Sequence, residues 1–150
     1  MKWTAGVLAI GVVILAPDQV LACPCTETGT VRDELKSSRA VFLGRVIALA
    51  IETVALENST AERMRATFKV ERRWKSATRS TIEVWTCGDQ TAVCTCGLDF
   101  KLGERYVVFA SGQPLGTGSC DRTRVASAAE AIIAELEKLS PAAKGRITMR

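Results

Sequence analysis

Six cysteines, Cys23, Cys25, Cys87, Cys94, Cys96 and Cys120, all lie downstream of a short apolar leader, and no other feature restricts the fold as strongly. The leader has the order of a secretory signal peptide: Lys2, an uncharged run from Val7 to Leu15, and the small-residue ending Val20-Leu21-Ala22. Its apolar core is shorter than the roughly 20 residues that span a bilayer as a helix. Export to an oxidising space makes an even number of thiols read as a disulfide framework, with the pairing left open by spacing alone.

Cleavage after Ala22 removes 22 of the 150 residues and leaves 128, enough for one compact domain that begins at Cys23. The expected organisation is a signal peptide over 1–22, a domain over 23–140 and a loose tail over 141–150, in a secreted or periplasmic protein without a transmembrane segment. A lipoprotein signal also ends in a small residue before Cys. However, a lipid thioether at Cys23 would leave five thiols, and Asp18 and Gln19 sit awkwardly close to such a cut. The leader carries one Lys and one Asp, so the net charge of +4 belongs to the mature chain. That mild excess permits contact with an anionic surface or polysaccharide and falls short of the concentrated charge expected for nucleic acid.

The periodicity is mainly that of strands. Thr30 followed by Asp33 and Glu34 predicts a short helix to about Ser38. Val41 to Ile51 predicts a long strand, with a bulge or bend at Gly44. Glu52 to Glu62 is polar enough for a loop, and it holds the sequon Asn58-Ser59-Thr60. Met64, Ala66, Phe68 and Val70 then alternate with Arg63, Arg65, Lys69, Arg73 and Lys75, predicting a half-buried strand whose basic face is either solvated or holds a polyanion. Thr81–Thr86, with Ile82 and Val84 inward, and the nearly continuous apolar run Arg105–Ala110 predict two more strands. Between them Cys87-Gly88-Asp89-Gln90 opens a turn-rich return to Cys94 and Cys96. A last strand is expected near Gly116 to Cys120. The capping box Ser127-Ala128-Ala129-Glu130 predicts a helix to Leu139, ended by Pro141. Five strands, a short first helix and a closing helix predict a mainly β, disulfide-stapled fold, either a five-stranded barrel of the oligonucleotide/oligosaccharide-binding type or a sandwich.

The inventory restricts the chemistry. There is no histidine, which removes the Ser-His-Asp triad, the Cys-His pair and His-ligated catalytic zinc. Scattered carboxylates could in principle hydrolyse glycosides, but they read as solvated charges and none stands out. Cys23, Cys25, Cys94 and Cys96 form two C-x-C pairs, whereas structural zinc sites and redox centres favour C-x₂-C. The expectation is a protein that is not an enzyme and carries no cofactor.

Several segments together resemble a known family. Cys23-Pro24-Cys25, Val41-Phe42-Leu43-Gly44-Arg45-Val46, Phe68-Lys69-Val70 with Trp74-Lys75, Cys96-Gly97 with Phe100, Gly103, Tyr106-Val107-Val108-Phe109 and Ser119-Cys120 resemble the netrin-like module. More narrowly, they resemble the amino-terminal domain of the tissue inhibitors of metalloproteinases and its single-domain bacterial relatives. The resemblance covers Cys23 to about Leu139. It implies a five-stranded barrel and the pairings Cys23–Cys96 and Cys25–Cys120, leaving Cys87 with Cys94.

The resemblance also implies a function. The amine and carbonyl oxygen of Cys23 would chelate the catalytic zinc of a target endopeptidase, and Pro24 would face its specificity pocket, on a terminus stiffened by Cys25. Pro24 departs from the small hydroxyl-bearing residue of the animal inhibitors, and it lacks an N–H donor. The other expectation is a netrin-like adhesion or ligand-binding module that contacts a polyanion through Arg63, Arg65, Lys69, Arg73 and Lys75.

Overall fold

The computed structural model describes residues 25, 29–55, 60–86 and 97–140. The expected signal segment, Cys23, Pro24, Cys87, Cys94, Cys96 and the tail lie outside these residues.

Helix α1 spans Val31–Ser37 because its first turn is capped from both sides. The Asp33 N–H donates to the Thr30 hydroxyl at 3.2 Å, and the Thr30 N–H donates to the Asp33 carboxylate at 3.0 Å. Five antiparallel strands follow: β1 Ala40–Ala55, β2 Thr60–Lys75, β3 Thr81–Thr86, β4 Arg105–Ala110 and β5 Arg124–Val125. Their order in the sheet is β3-β2-β1-β4-β5.

The strands of the first hairpin are longer than the polar composition suggests. Glu52 to Glu62 is not one long loop: β1 continues to Ala55 and β2 resumes at Thr60, paired as Glu52 with Arg63 and Thr53 with Glu62. Ladder hydrogen bonds and opposite charges hold a polar ribbon where burial does not. Register shifts fall where the sequence has Gly44, and also at Val41/Phe42 and Val46/Ala48. A Cβ at Gly44 would meet the Lys69 carbonyl oxygen at 3.1 Å and the Phe42 ring at 3.1 Å, so any larger residue would push these neighbours back by a few tenths of an ångström.

Each face of the sheet buries a core. On the inner face Phe42, Met64, Ala66, Phe68, Val70, Val84, Phe100, Tyr106 and Val108 pack together. Phe68 is the hub, meeting Phe42, Phe100 and Tyr106 edge-on at centroid distances of 5.6, 5.1 and 6.3 Å. Such pairs contribute about 0.5–1.5 kcal/mol each beyond burial. On the outer face Val41, Leu43, Trp74, Val107 and Phe109 are covered by α1 and by α2, which spans Glu130–Leu139. Leu136 is fully buried there. Glu137 fastens α2 to β2, accepting from the Trp74 indole at 3.1 Å and from the Arg72 guanidinium at 2.5 Å.

The fold is mainly β, and among the described residues the ladders leave β3 and β5 as edges and do not close the sheet; single bridges of Gly116 to Trp85 and to Ser111 bring β3 near the end of β4. Two expectations need correction. The last strand lies at Arg124–Val125 rather than Gly116 to Cys120, because the Asp121 carboxylate accepts from the Gly118 N–H at 2.6 Å and bends that stretch into turns. Ser127 does not cap α2: Ala126–Ala128 is a 3₁₀ turn, Ala129 is the N-cap, and no side chain bonds there.

Candidate functional site

Residue 25 is the part of the expected inhibitory terminus that the structure describes. Cys25 is disulfide-bonded to Cys120 across 95 positions of sequence, with 5.2 Å between the Cα atoms. This is the pairing the resemblance implies for these two cysteines. An intact disulfide is compatible with an extracellular or periplasmic location. The two other implied pairings fall outside the described residues.

The segment that receives Cys25 is braced from below. Thr117 and Thr123 share a hydrogen bond at 2.7 Å between buried hydroxyls, and the Thr123 hydroxyl accepts from the Phe109 N–H of β4 at 2.9 Å. Asp121 closes the turn between them, so Cys120 sits on a short arch pinned to the sheet at both feet.

A second tie crosses the same gap. The backbone N–H of Arg122 donates to Glu34 Oε1 at 2.6 Å, its Nε lies 2.9 Å from Glu34 Oε2, and its Nη2 donates to the carbonyl oxygen of Gly29. Cys25 and Gly29 are thus both attached to residues 120–122. The Glu34 side chain is only 10% exposed. Burial pushes its carboxyl above the ordinary value, against the lowering effects of the Arg122 hydrogen bond and charge. Asp33, one residue earlier, is fully exposed and held below the usual range by its hydrogen bonds from Thr30. The far end of α1 is held independently: Lys75 Nζ donates to the carbonyls of Leu35 at 2.9 Å and Lys36 at 2.5 Å.

The five expected polyanion contacts do not form one face. Arg63, Arg65 and Lys69 lie on the outer side of β2, with Arg63 stacked 4.0 Å over the Trp85 ring. Arg65 is ion-paired with Glu52 at 3.4 Å and Glu83 at 3.5 Å. Glu71 has no partner in the β1–β2 register, so the alternation flips there and Arg73 falls opposite inward-facing Phe42, its guanidinium donating to the Thr78 carbonyl at 3.3 Å. Lys75 is spent on α1. Conversely, Arg45 stands directly opposite both Lys69 and Arg105, and Glu71 lies between the two arginines at 3.5 and 2.7 Å. Strand parity places Arg45 on this side; nothing local indicates its alignment with Arg105.

Among the described residues no group of three or more acidic or cysteine side chains converges as a metal site, and no helix is long and apolar enough to cross a membrane. Glu34 and Arg122 were not singled out by the sequence, where Glu34 reads only as an acid in a helix's first turn. Comparison with protein-family models finds no match for this chain, and neither does comparison with curated proteins.

Proposed function

We propose that this chain is an exported inhibitor of zinc metalloendopeptidases, not itself a catalyst, which chelates the target's zinc through the amine and carbonyl oxygen of Cys23. The single observation that carries this reading is the Cys25–Cys120 bridge on its braced arch. Two residues of chain span at most about 7 Å, so an amino group that begins at Cys23 stays beside that anchor. A terminus anchored so close to its end loses little conformational entropy on entering a cleft. An α-amine has a pKa of about 8, low enough for its lone pair to reach zinc near neutral pH. Together the two atoms of Cys23 would close a five-membered chelate and displace the zinc-bound water that attacks the substrate. Pro24, next in line, would meet the specificity pocket. In this reading the open sheet bridged at Gly116 is the wall of a netrin-like barrel, and the tissue inhibitors of metalloproteinases are the proteins it resembles.

The test compares three forms against a panel of zinc endopeptidases: protein beginning at Cys23, the same protein acetylated at its amine, and protein with one residue preceding Cys23. Inhibition by the first alone is expected, with a loss of at least about a hundredfold in the others, since metal chelation depends on the free amine. Equal inhibition by all three forms, or none by the first, overturns the mechanism.

A second reading rests on Lys69, Arg45 and Arg105, three cations in register across three strands with one carboxylate among them. Like charges placed opposite each other destabilise a sheet, and a bound anion would relieve that. Binding to an anionic polysaccharide would weaken with salt and with charge reversal at these residues, and would be indifferent to acetylation at Cys23.

A further inference from the structure

Arg122 does more than close a salt bridge, because it bonds in three directions at one place: to two atoms of Glu34 and to the backbone of Gly29. A single disulfide fixes a point on the amino-terminal segment and leaves rotation about its own bonds. A second tie four residues on fixes a direction. We propose that the Glu34–Arg122 pair is a positioning device that aims the amino-terminal segment at the target's cleft, separate from whatever holds the fold together; this rests on the inhibitor reading above.

Three observations separate aiming from stabilising. First, α1 has other anchors: its Thr30–Asp33 capping box, the packing of Val31 and Leu35 in the outer core, and Lys75 on its last carbonyls. Second, the pair is largely withdrawn from water, with side-chain exposures of 10% for Glu34 and 26% for Arg122, and burial is the largest influence on the Glu34 carboxyl, pushing it up. Ion pairs withdrawn from water are poor sources of stability, and apolar or neutral replacements are often tolerated. Third, the pair stands at the one arch to which Cys25 is also attached. Its cost therefore falls where orientation of the terminus is decided.

The test uses the full mature protein with both charges removed together, because removing one partner alone strands a buried charge. Glu34→Gln keeps an acceptor for the Arg122 N–H, and Arg122→Met keeps length and packing. The double variant is expected to unfold at the same or higher urea concentration than wild type. Its inhibition of a susceptible zinc endopeptidase should be about tenfold to a hundredfold weaker, the scale of ordering one or two residues on binding. The backbone order parameters at Gly29 and Thr30, whose shared peptide group loses the Arg122 guanidinium from its carbonyl oxygen, should fall from the rigid range of about 0.85 toward about 0.6 in nuclear magnetic resonance relaxation.

A double variant that inhibits as well as wild type overturns the proposal. So does one whose inhibition falls only in step with its stability. Unchanged backbone order at Gly29 and Thr30 overturns the second tie whatever happens to inhibition. A wild-type protein that inhibits nothing, alongside lowered backbone order in the variant, defeats the inhibitor reading and leaves the tie standing.

Discussion

Replacing Cys25 and Cys120 together by alanine tests the staple that the account depends on, and its size follows from chain topology. The bridge joins residues 95 apart. If it were the sole crosslink, the loop-closure relation gives about 4.7 kcal/mol of stabilisation at 25 °C. If Cys23 is also tied to Cys96, as the resemblance implies, the path closed by Cys25–Cys120 shortens to two residues at one end and 24 at the other. The same relation then gives about 3.5 kcal/mol. Urea unfolding followed by the far-ultraviolet signal measures the difference, provided the midpoint moves at constant slope. A loss near the lower figure supports two bridges acting together, and one near the higher supports a lone bridge. A loss under about 1 kcal/mol, well below the usual range for a native bridge, would refute the reasoning that the terminus is a constraint on the fold.

Other consequences are equally direct. Phe68→Ala removes the hub of the four-ring inner core and should cost about 3–5 kcal/mol in urea unfolding, whereas a cost below about 1.5 kcal/mol would mean the rings do not share one interior. Tyr106 is the sole tyrosine, so phenolate absorbance reports it alone; burial and donation to Glu104 push its pKa up to about 12. The unfolded phenol ionises first, so stability should fall as pH rises from about 10, and a native midpoint near 10 would contradict the buried placement. Glu34 is raised chiefly by burial and also by Asp121, and is lowered by Arg122 and Arg124. The native state therefore keeps this proton where the unfolded chain has lost it. Wild type should lose stability relative to Glu34→Gln as pH rises past the ordinary value of 4.5, and a difference that does not change with pH would refute the assignment.

Much of the architecture is written in local patterns. Thr30 caps α1 as expected, and Asp33 completes a capping box with it because both partners lie within one turn. Met64, Ala66, Phe68 and Val70 are all buried, as their alternation requires. Gly44 marks a register shift, because a missing side chain is visible in the sequence while the neighbour it admits is not. At the start of α2 a long-range partner overrode a local signal. Ser127 and Glu130 form a legible box, yet the pairing of Val125 with Tyr106 leads straight into a 3₁₀ turn, and the helix starts beyond the serine.

The parity of β2 was lost at Glu71, which has no partner in the β1–β2 register and sends Arg73 to the other side. The tie from Glu34 to Arg122 spans 88 positions, and neither residue type announces the other. Of the candidate site, the resemblance alone pointed to the Cys25–Cys120 bridge, since spacing left the pairing open. The brace beneath it, made of Thr117, Thr123 and Asp121, consists of ordinary turn residues whose role depends on β4 beneath them.

If the terminal amine of Cys23 binds a protease's zinc, the metal's own spectrum registers the contact. A susceptible endopeptidase with cobalt in place of zinc reports its coordination through visible absorption. Protein beginning at Cys23 with a free amine should shift that band at one equivalent, and the acetylated protein should leave it unchanged. A band that stays the same while the enzyme is inhibited would place the contact elsewhere and contradict the account.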